Sequence, residues 1–168
     1  MSLPENIGLW RAKNIGLRHC SGEIVTMHDA DDWSYTSKLE LQVMPLLNNK
    51  NLLATSSYMI RIDETTGIPY TRNACNFLRW NPSSFMFQKK ILKEIGNFKT
   101  HWLGGDCEFV SRLEAYSGIK SHIRIKKPLT IGLQRQHSLS NRFRSDEAVK
   151  ERLLHWESWR KEHLLLLK

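Results

Sequence analysis

The stretch Glu23-Ile24-Val25-Thr26-Met27-His28-Asp29-Ala30-Asp31-Asp32-Trp33 decides how the rest of the chain is read. Ile24, Val25 and Thr26 are β-branched and follow the breaker Ser21-Gly22, so Glu23 to Met27 reads as a short buried strand in a sheet with helices on its faces. Three aspartates within four positions come directly after it. Like charges this close raise one another's pKa unless a cation or another positive group neutralises them.

A divalent metal answers that repulsion. Carboxylate oxygens suit Mn2+ or Mg2+, and Mg2+ is commonly held by one or two carboxylates plus substrate phosphates, which would anchor a nucleoside-diphosphate donor. The competing reading is a solvated turn in which Asp31 or Asp32 caps the next helix. An aspartyl phosphatase also carries Asp-x-Asp after a strand, but it needs Thr or Val where this chain has Trp33.

Upstream, Ile7, Trp10, Ala12, Ile15 and Leu17 fit a helix loosely. Downstream, Ser34 or Thr36 caps a helix whose apolar positions run from Leu39 to Leu47, with Pro45 in its last turn. Leu52 to Ile62 reads as a strand, Thr66-Gly67 as a turn, Ile68 to Arg72 as a returning strand and Ser84 to Phe87 as another. Helices are expected at Gln88 to Glu94, stopped by Gly96, and at Asp106 to Tyr116, stopped by Gly118. His122 to Ile125 and Leu129 to Leu133 read as two strands with Pro128 between them. The tail from Asp146 to Lys168 reads as a basic, Trp-containing helix with Val149, Leu153, Trp156 and Leu164 near one face. This alternation predicts an α/β sandwich with a mixed, mostly parallel sheet flanked by helices, whose ligands sit at the carboxyl ends of strands.

With 168 residues, 40% of them hydrophobic and 25% charged, the chain suits a single domain over residues 1–168. It contains no run of roughly 20 apolar residues and no signal-peptide pattern, so a cytoplasmic location is expected. Cys20, Cys75 and Cys107 are widely spaced and read as reduced thiols rather than a zinc or disulfide framework. A formal charge of +8 suits an anionic partner such as nucleic acid, an acidic membrane surface or a phosphorylated substrate.

Ala12-Lys13-Asn14-Ile15-Gly16, Ser21-Gly22-Glu23-Ile24-Val25, His28 to Trp33 and Lys38-Leu39-Glu40 together resemble the family 2 glycosyltransferases. Their pattern there is Ala-Arg-Asn-x-Gly, Gly-Glu-hydrophobic, Asp-x-Asp-Asp and a Lys-Leu-Glu helix. A second block, Asp106, Glu108, Phe109 and Arg112, resembles the family's acceptor-side motif, although Gly105 stands where the family often has Glu.

The resemblance implies a GT-A fold, an inverting transfer of sugar from a nucleotide-diphosphate donor to a saccharide or lipid-linked acceptor hydroxyl, and a setting in cell-surface polysaccharide synthesis. It implies Asp106 as the catalytic base, with Glu108 as an alternative carboxylate. It places Lys13, Asn14, Asp29, Arg135 and Ser138 at the donor, Trp102 and Ser84 at the acceptor, and Asp29, Asp31 and His137 at the Mn2+ or Mg2+ ion. Within the acidic cluster Asp29 faces ribose or metal and Asp31 the metal, while Asp32 supports them or caps the helix. Similar proteins work in the cytoplasm at the inner face of the membrane, so peripheral membrane association is compatible and nucleic acid is not expected.

Family members begin with a hydrophobic strand and a Pro-Thr-Tyr-Asn-like loop that holds the nucleotide base, and no such segment precedes Asn6. The expectation is a partial GT-A domain, truncated at its N-terminus, that binds donor weakly or not at all on its own. A different class remains open: a nucleic-acid or membrane-surface module without catalysis, built on Arg142, Arg144, Lys150, Arg152, Arg160 and Lys161 with Trp156 and Trp159.

Overall fold

Phe85, Met86 and Phe87 alternate across a strand and so send their side chains to opposite faces. The two phenylalanines join one buried cluster and Met86 another. The two faces are covered by different helices. In the computed structural model, which describes residues 3–71, 76–101, 104–135 and 145–167, the chain begins with α1 (Leu9–His19) and β1 (Ile24–Thr26). A three-residue strand β2 (Asp32–Ser34), α2 (Lys38–Asn48), β3 (Ala54–Asp63), the short β4 (Pro69–Tyr70) and β5 (Arg79–Gln88) follow. A 3-10 turn at Lys89–Ile91 leads into α3 (Leu92–Ile95), and α4 (Gly105–Ser117), β6 (His122–Gln134) and α5 (Asp146–Leu164) complete it.

The strands form one mixed sheet in the order β1-β5-β3-β6-β2, with β4 paired to β3. The β3–β6 ladder is parallel and the other ladders are antiparallel, so the parallel share is smaller than expected. On one face Phe85 and Phe87 meet Phe109 of α4, whose ring centroid lies 4.4 Å from that of Phe98, and Trp10 and Leu17 of α1 complete the cluster. On the other face Met86 packs with Leu46 of α2 and with Leu52.

Five expectations change. The stretch after Asp31 does not lead straight into a helix: Asp32 pairs with Gly132 and Ser34 with Thr130, which makes the segment an edge strand. Ser37, not Ser34 or Thr36, occupies the N-cap of α2, with no side-chain capping bond. Pro128 does not split β6, because register shifts opposite Tyr58 absorb the residues beside it. Finally, α5 turns Trp159 and His163 inward with Trp156 half-buried beside them, so of the face read from its apolar residues only Trp156 docks, while Val149, Leu153 and Leu164 are exposed. Nor is this helix basic. Lys150, Arg152, Arg160 and Lys161 are outnumbered by Asp146, Glu147, Glu151, Glu157 and Glu162. No described helix is long and apolar enough to cross a membrane.

Candidate active site

The acidic loop starts where β1 ends. Met27 extends the ladder by donating to the Phe85 carbonyl at 3.0 Å, and Asp32 N–H donates to the Asp29 carbonyl at 3.1 Å to close the turn. The loop therefore joins the two edge strands of the sheet. Each of the first two aspartates has its own cation. Lys13 Nζ on α1 donates to Asp29 Oδ1 at 3.0 Å and lies 5.2 Å from the ring centroid of Trp10. Arg135, at the end of β6, donates from Nη1 to Asp31 Oδ2 at 3.2 Å and from Nε to Glu64 Oε1 at 2.8 Å. Glu64 was not anticipated, and no local pattern marks it, because its role comes from the β3–β4 turn folding back beside β6.

Asp32 is held differently. Burial, followed by the charges of Asp29 and Asp31, pushes its carboxyl up to about 6, against the opposing pull of Arg61 and His28. A Cβ on Gly132 would stand 2.9 Å from Asp32 Oδ1 and 2.5 Å from Met59 Cε, so the bare glycine makes room for that carboxylate. Lys38, 2% exposed, brings its ammonium charge to the same cluster. Burial lowers its pKa and the charges of Asp32 and Asp29 partly restore it. Its position in the Lys-Leu-Glu stretch was the signal that could have found it.

The second block is built on the first turn of α4. Ser83 Oγ donates to Asp106 Oδ2 at 3.2 Å, and the Cys107 N–H donates to Asp106 Oδ1 at 2.8 Å. Burial, with the adjacent Asp106 charge, pushes the Cys107 thiol up to about 12, which leaves it a plain thiol at neutral pH. Gly105 has a steric reason: a Cβ there would lie 2.6 Å from Trp10 Cε2. Trp10 packs on the residue before Asp106 while Lys13, one turn along the same helix, grips Asp29, so α1 contacts both acidic blocks.

Glu108 does not belong to that site. It is fully buried, accepts from Arg112 Nε and Nη2 at 2.9 Å each, and lies 3.0 Å from His163 Nε2 of α5. Burial raises its pKa, but the bonds from His163 and Arg112 and the charges of Arg112 and Lys99 outweigh that and hold it below the usual carboxylate range. A carboxylate so committed is a poor proton acceptor and a strong structural anchor. Ser84 also turns inward. Its Oγ accepts from the Ser57 N–H at 2.8 Å and donates to the Asn81 carbonyl at 2.7 Å, patching the register shift between β3 and β5 rather than facing an acceptor. Asn14 likewise spends its amide on the backbone, donating to the Phe98 carbonyl at 2.8 Å and accepting from the Phe98 N–H at 3.0 Å. It fixes α1 to the loop before α4 instead of facing a donor. Trp102, His137 and Ser138 lie outside the described residues.

A hard divalent cation fits the donor set. Asp29 and Asp31 offer carboxylate oxygens at the mouth of the loop, and two such ligands suffice when phosphates complete the shell. Among the described residues no group of three or more acidic, His or Cys side chains forms a closed metal cage.

Comparison with known proteins follows this geometry. A family model described as glycosyl transferase family 2 matches residues 1–113. No curated protein sequence matches the chain. Among solved structures, glucosyl-3-phosphoglycerate synthase from Mycobacterium tuberculosis in complex with phosphoglyceric acid superposes with a TM-score of 0.64 at 15% identity, covering 94% of this chain and 56% of that one. The same enzyme with Mn2+, uridine diphosphate and glucosyl-3-phosphoglycerate gives 0.63 at 14% identity, with coverage of 94% and 56%. A mannosyltransferase from Pyrobaculum calidifontis in complex with GDP-Man and Mn2+ gives 0.53 at 19% identity, covering 99% of this chain and 44% of that one. At these identities the likeness is one of fold, and the chain spans about half the length of those proteins.

Proposed function

Because the chain belongs to glycosyl transferase family 2, we propose that it carries the metal side and the acceptor side of an inverting transferase. That enzyme moves a sugar from a nucleoside-diphosphate donor to a saccharide or lipid-linked hydroxyl, in the setting of cell-surface polysaccharide synthesis. The observation that carries this reading is the bridge made by α1, which holds Asp29 through Lys13 and seats Trp10 against the turn that presents Asp106.

In this reading Asp29 and Asp31 hold Mn2+ or Mg2+, which when bound neutralises charge on the leaving diphosphate. Arg135, already oriented by Glu64, exchanges its contact with Asp31 for a diphosphate oxygen. Asp106, with one oxygen fixed by Ser83, accepts the proton of the acceptor hydroxyl as that oxygen attacks the anomeric carbon opposite the diphosphate. Direct displacement inverts that carbon and requires no covalent sugar–protein intermediate.

The test is Mn2+ binding, followed by the paramagnetic signal of the free ion with and without uridine or guanosine diphosphate. Binding should be weak, strengthened by the nucleotide and lost in Asp29→Ala and Asp31→Ala. Binding indifferent to both substitutions would overturn the reading. Steeply salt-dependent DNA or anionic-vesicle binding that survives Asp31→Ala would favour the charged-surface module, a reading that the acidic excess on α5 already weakens.

A further inference from the structure

Outside the groups used above, one arginine is built into the fold with unusual care. Arg124 of β6 lies face-on over the Trp80 ring, its Cζ 4.3 Å from the centroid, and donates from Nη2 to Glu114 Oε1 at 3.1 Å. Its other guanidinium N–H groups have no hydrogen-bond partner among the described residues, and the side chain is 43% exposed. Stacking and a single anchor thus fix the plane of the fork and leave its outer edge open to solvent. A planar, pre-oriented fork of this kind suits a phosphate or carboxylate.

Beneath it Ser56 and His122 are buried and Trp80 and Glu114 half-buried, and all four are hydrogen-bonded to one another in series. Trp80 Nε1 donates to Ser56 Oγ at 2.8 Å, Ser56 Oγ lies 2.8 Å from His122 Nε2, and His122 Nδ1 lies 2.8 Å from the same Glu114 oxygen that anchors Arg124. Trp80 and Glu114, the two supports of Arg124, are therefore joined by a continuous chain of hydrogen bonds. Such a chain resists rotation of the indole and holds the guanidinium at one height above the surface.

The location gives the fork its meaning. Glu114 lies on α4 seven residues beyond Cys107, two helical turns or about 10 Å along the same stripe. The positive charges of Arg124 and of Arg152 on α5 both act on Cys107, the neighbour of Asp106. Trp80 stands three residues before Ser83, the partner of Asp106, on β5.

We propose that Arg124, stacked on Trp80, is a recognition site for a phosphate monoester carried by the acceptor. The proposal rests on the reading of Asp106 as the acceptor-side base and adds the substrate's chemical class to it. The acceptor's phosphate docks on the open edge of the guanidinium while its hydroxyl reaches toward Asp106.

Inorganic phosphate is the probe, titrated into the 15N-labelled chain at constant ionic strength and read at the Trp80 indole N–H resonance. Saturable movement of that resonance is expected, with affinity weakened at least tenfold in Arg124→Gln and less in Arg124→Lys, which keeps the charge without the stacked fork. Excess UDP with Mg2+ should not compete. Unchanged phosphate affinity in a folded Arg124→Gln variant would overturn the proposal, and so would full displacement by UDP, which would place the anion in the donor site. Reproduction of the shift by chloride at equal ionic strength would overturn it too. Since Mn2+ binding reads the donor side separately, failure here leaves that result intact.

Discussion

Asp106 and Glu108 sit two residues apart on α4 and illustrate how little sequence distance says about role. Asp106 is reached by Ser83 and the Cys107 N–H, whereas Glu108 is enclosed by Arg112, His163 and Lys99. Under the proposed function the isosteric Asp106→Asn should lower sugar transfer about 100-fold or more while changing unfolding free energy by less than about 0.5 kcal/mol. Glu108→Gln should do the opposite in urea denaturation, costing about 3 kcal/mol or more because Arg112 is left buried without its counter-charge. The sign of the pH dependence follows from the lowered folded-state pKa of Glu108. Its stabilisation is present above the ordinary carboxylate range and is lost as pH falls through the folded value, so the acid limb of the stability profile should flatten in Glu108→Gln. Gly132→Ala should cost about 1–3 kcal/mol by crowding Asp32 and Met59, and should weaken Mn2+ binding with it. The acidic cluster stands out in the sequence because three carboxylates in one turn demand an explanation, and the structure gives Asp29 and Asp31 each a cation. The inward turn of Ser84 was not, since nothing in Asn81-Pro82-Ser83-Ser84 announces that a hydroxyl will patch a sheet irregularity.

At the scale of elements, β-branched residues made β1 visible and glycines marked the ends of α3 and α4. What misled was the assumption that apolar residues point inward. α5 docks through Arg152, His155, Trp156, Trp159 and His163, a polar and aromatic face, so aliphatic periodicity misplaces the contact and only Trp156 is shared with it. β2 escaped because three residues holding an acid, an aromatic and a serine make no strand pattern without β6 beside them. Pro128 was overweighted, since a bulge lets a strand carry a proline. The docking of α5 is testable through Trp159, which is buried with no partner for its indole N–H among the described residues. Trp159→Ala should cost about 3–5 kcal/mol. Trp159→Phe should cost roughly 1 kcal/mol or less, because it keeps a ring and removes an unsatisfied donor. Chemical denaturation of the two variants would separate packing from polarity.

Across the whole molecule, a sheet with different helices on its two faces places the acidic loop and the start of α4 within reach of one bridging helix, and the family match agrees with that layout. The overall formal charge of +8 is not concentrated on α5, which carries more acidic than basic side chains. The strands at the two ends of the sheet order, β1 and β2, are only three residues long. Each pairs with only three residues of its longer neighbour, so much of the outer side of β5 and of β6 has no second strand partner among the described residues. A second exposed feature lies where α5 ends, because Leu164 and the following Leu165 and Leu167 are 65%, 87% and 62% exposed. Replacing those three leucines with glutamine should reduce light scattering in concentrated solution while leaving helicity and Mn2+ binding unchanged. Crowded molecules would then first touch through these leucines, as greasy, reversible clusters in which each fold stays intact.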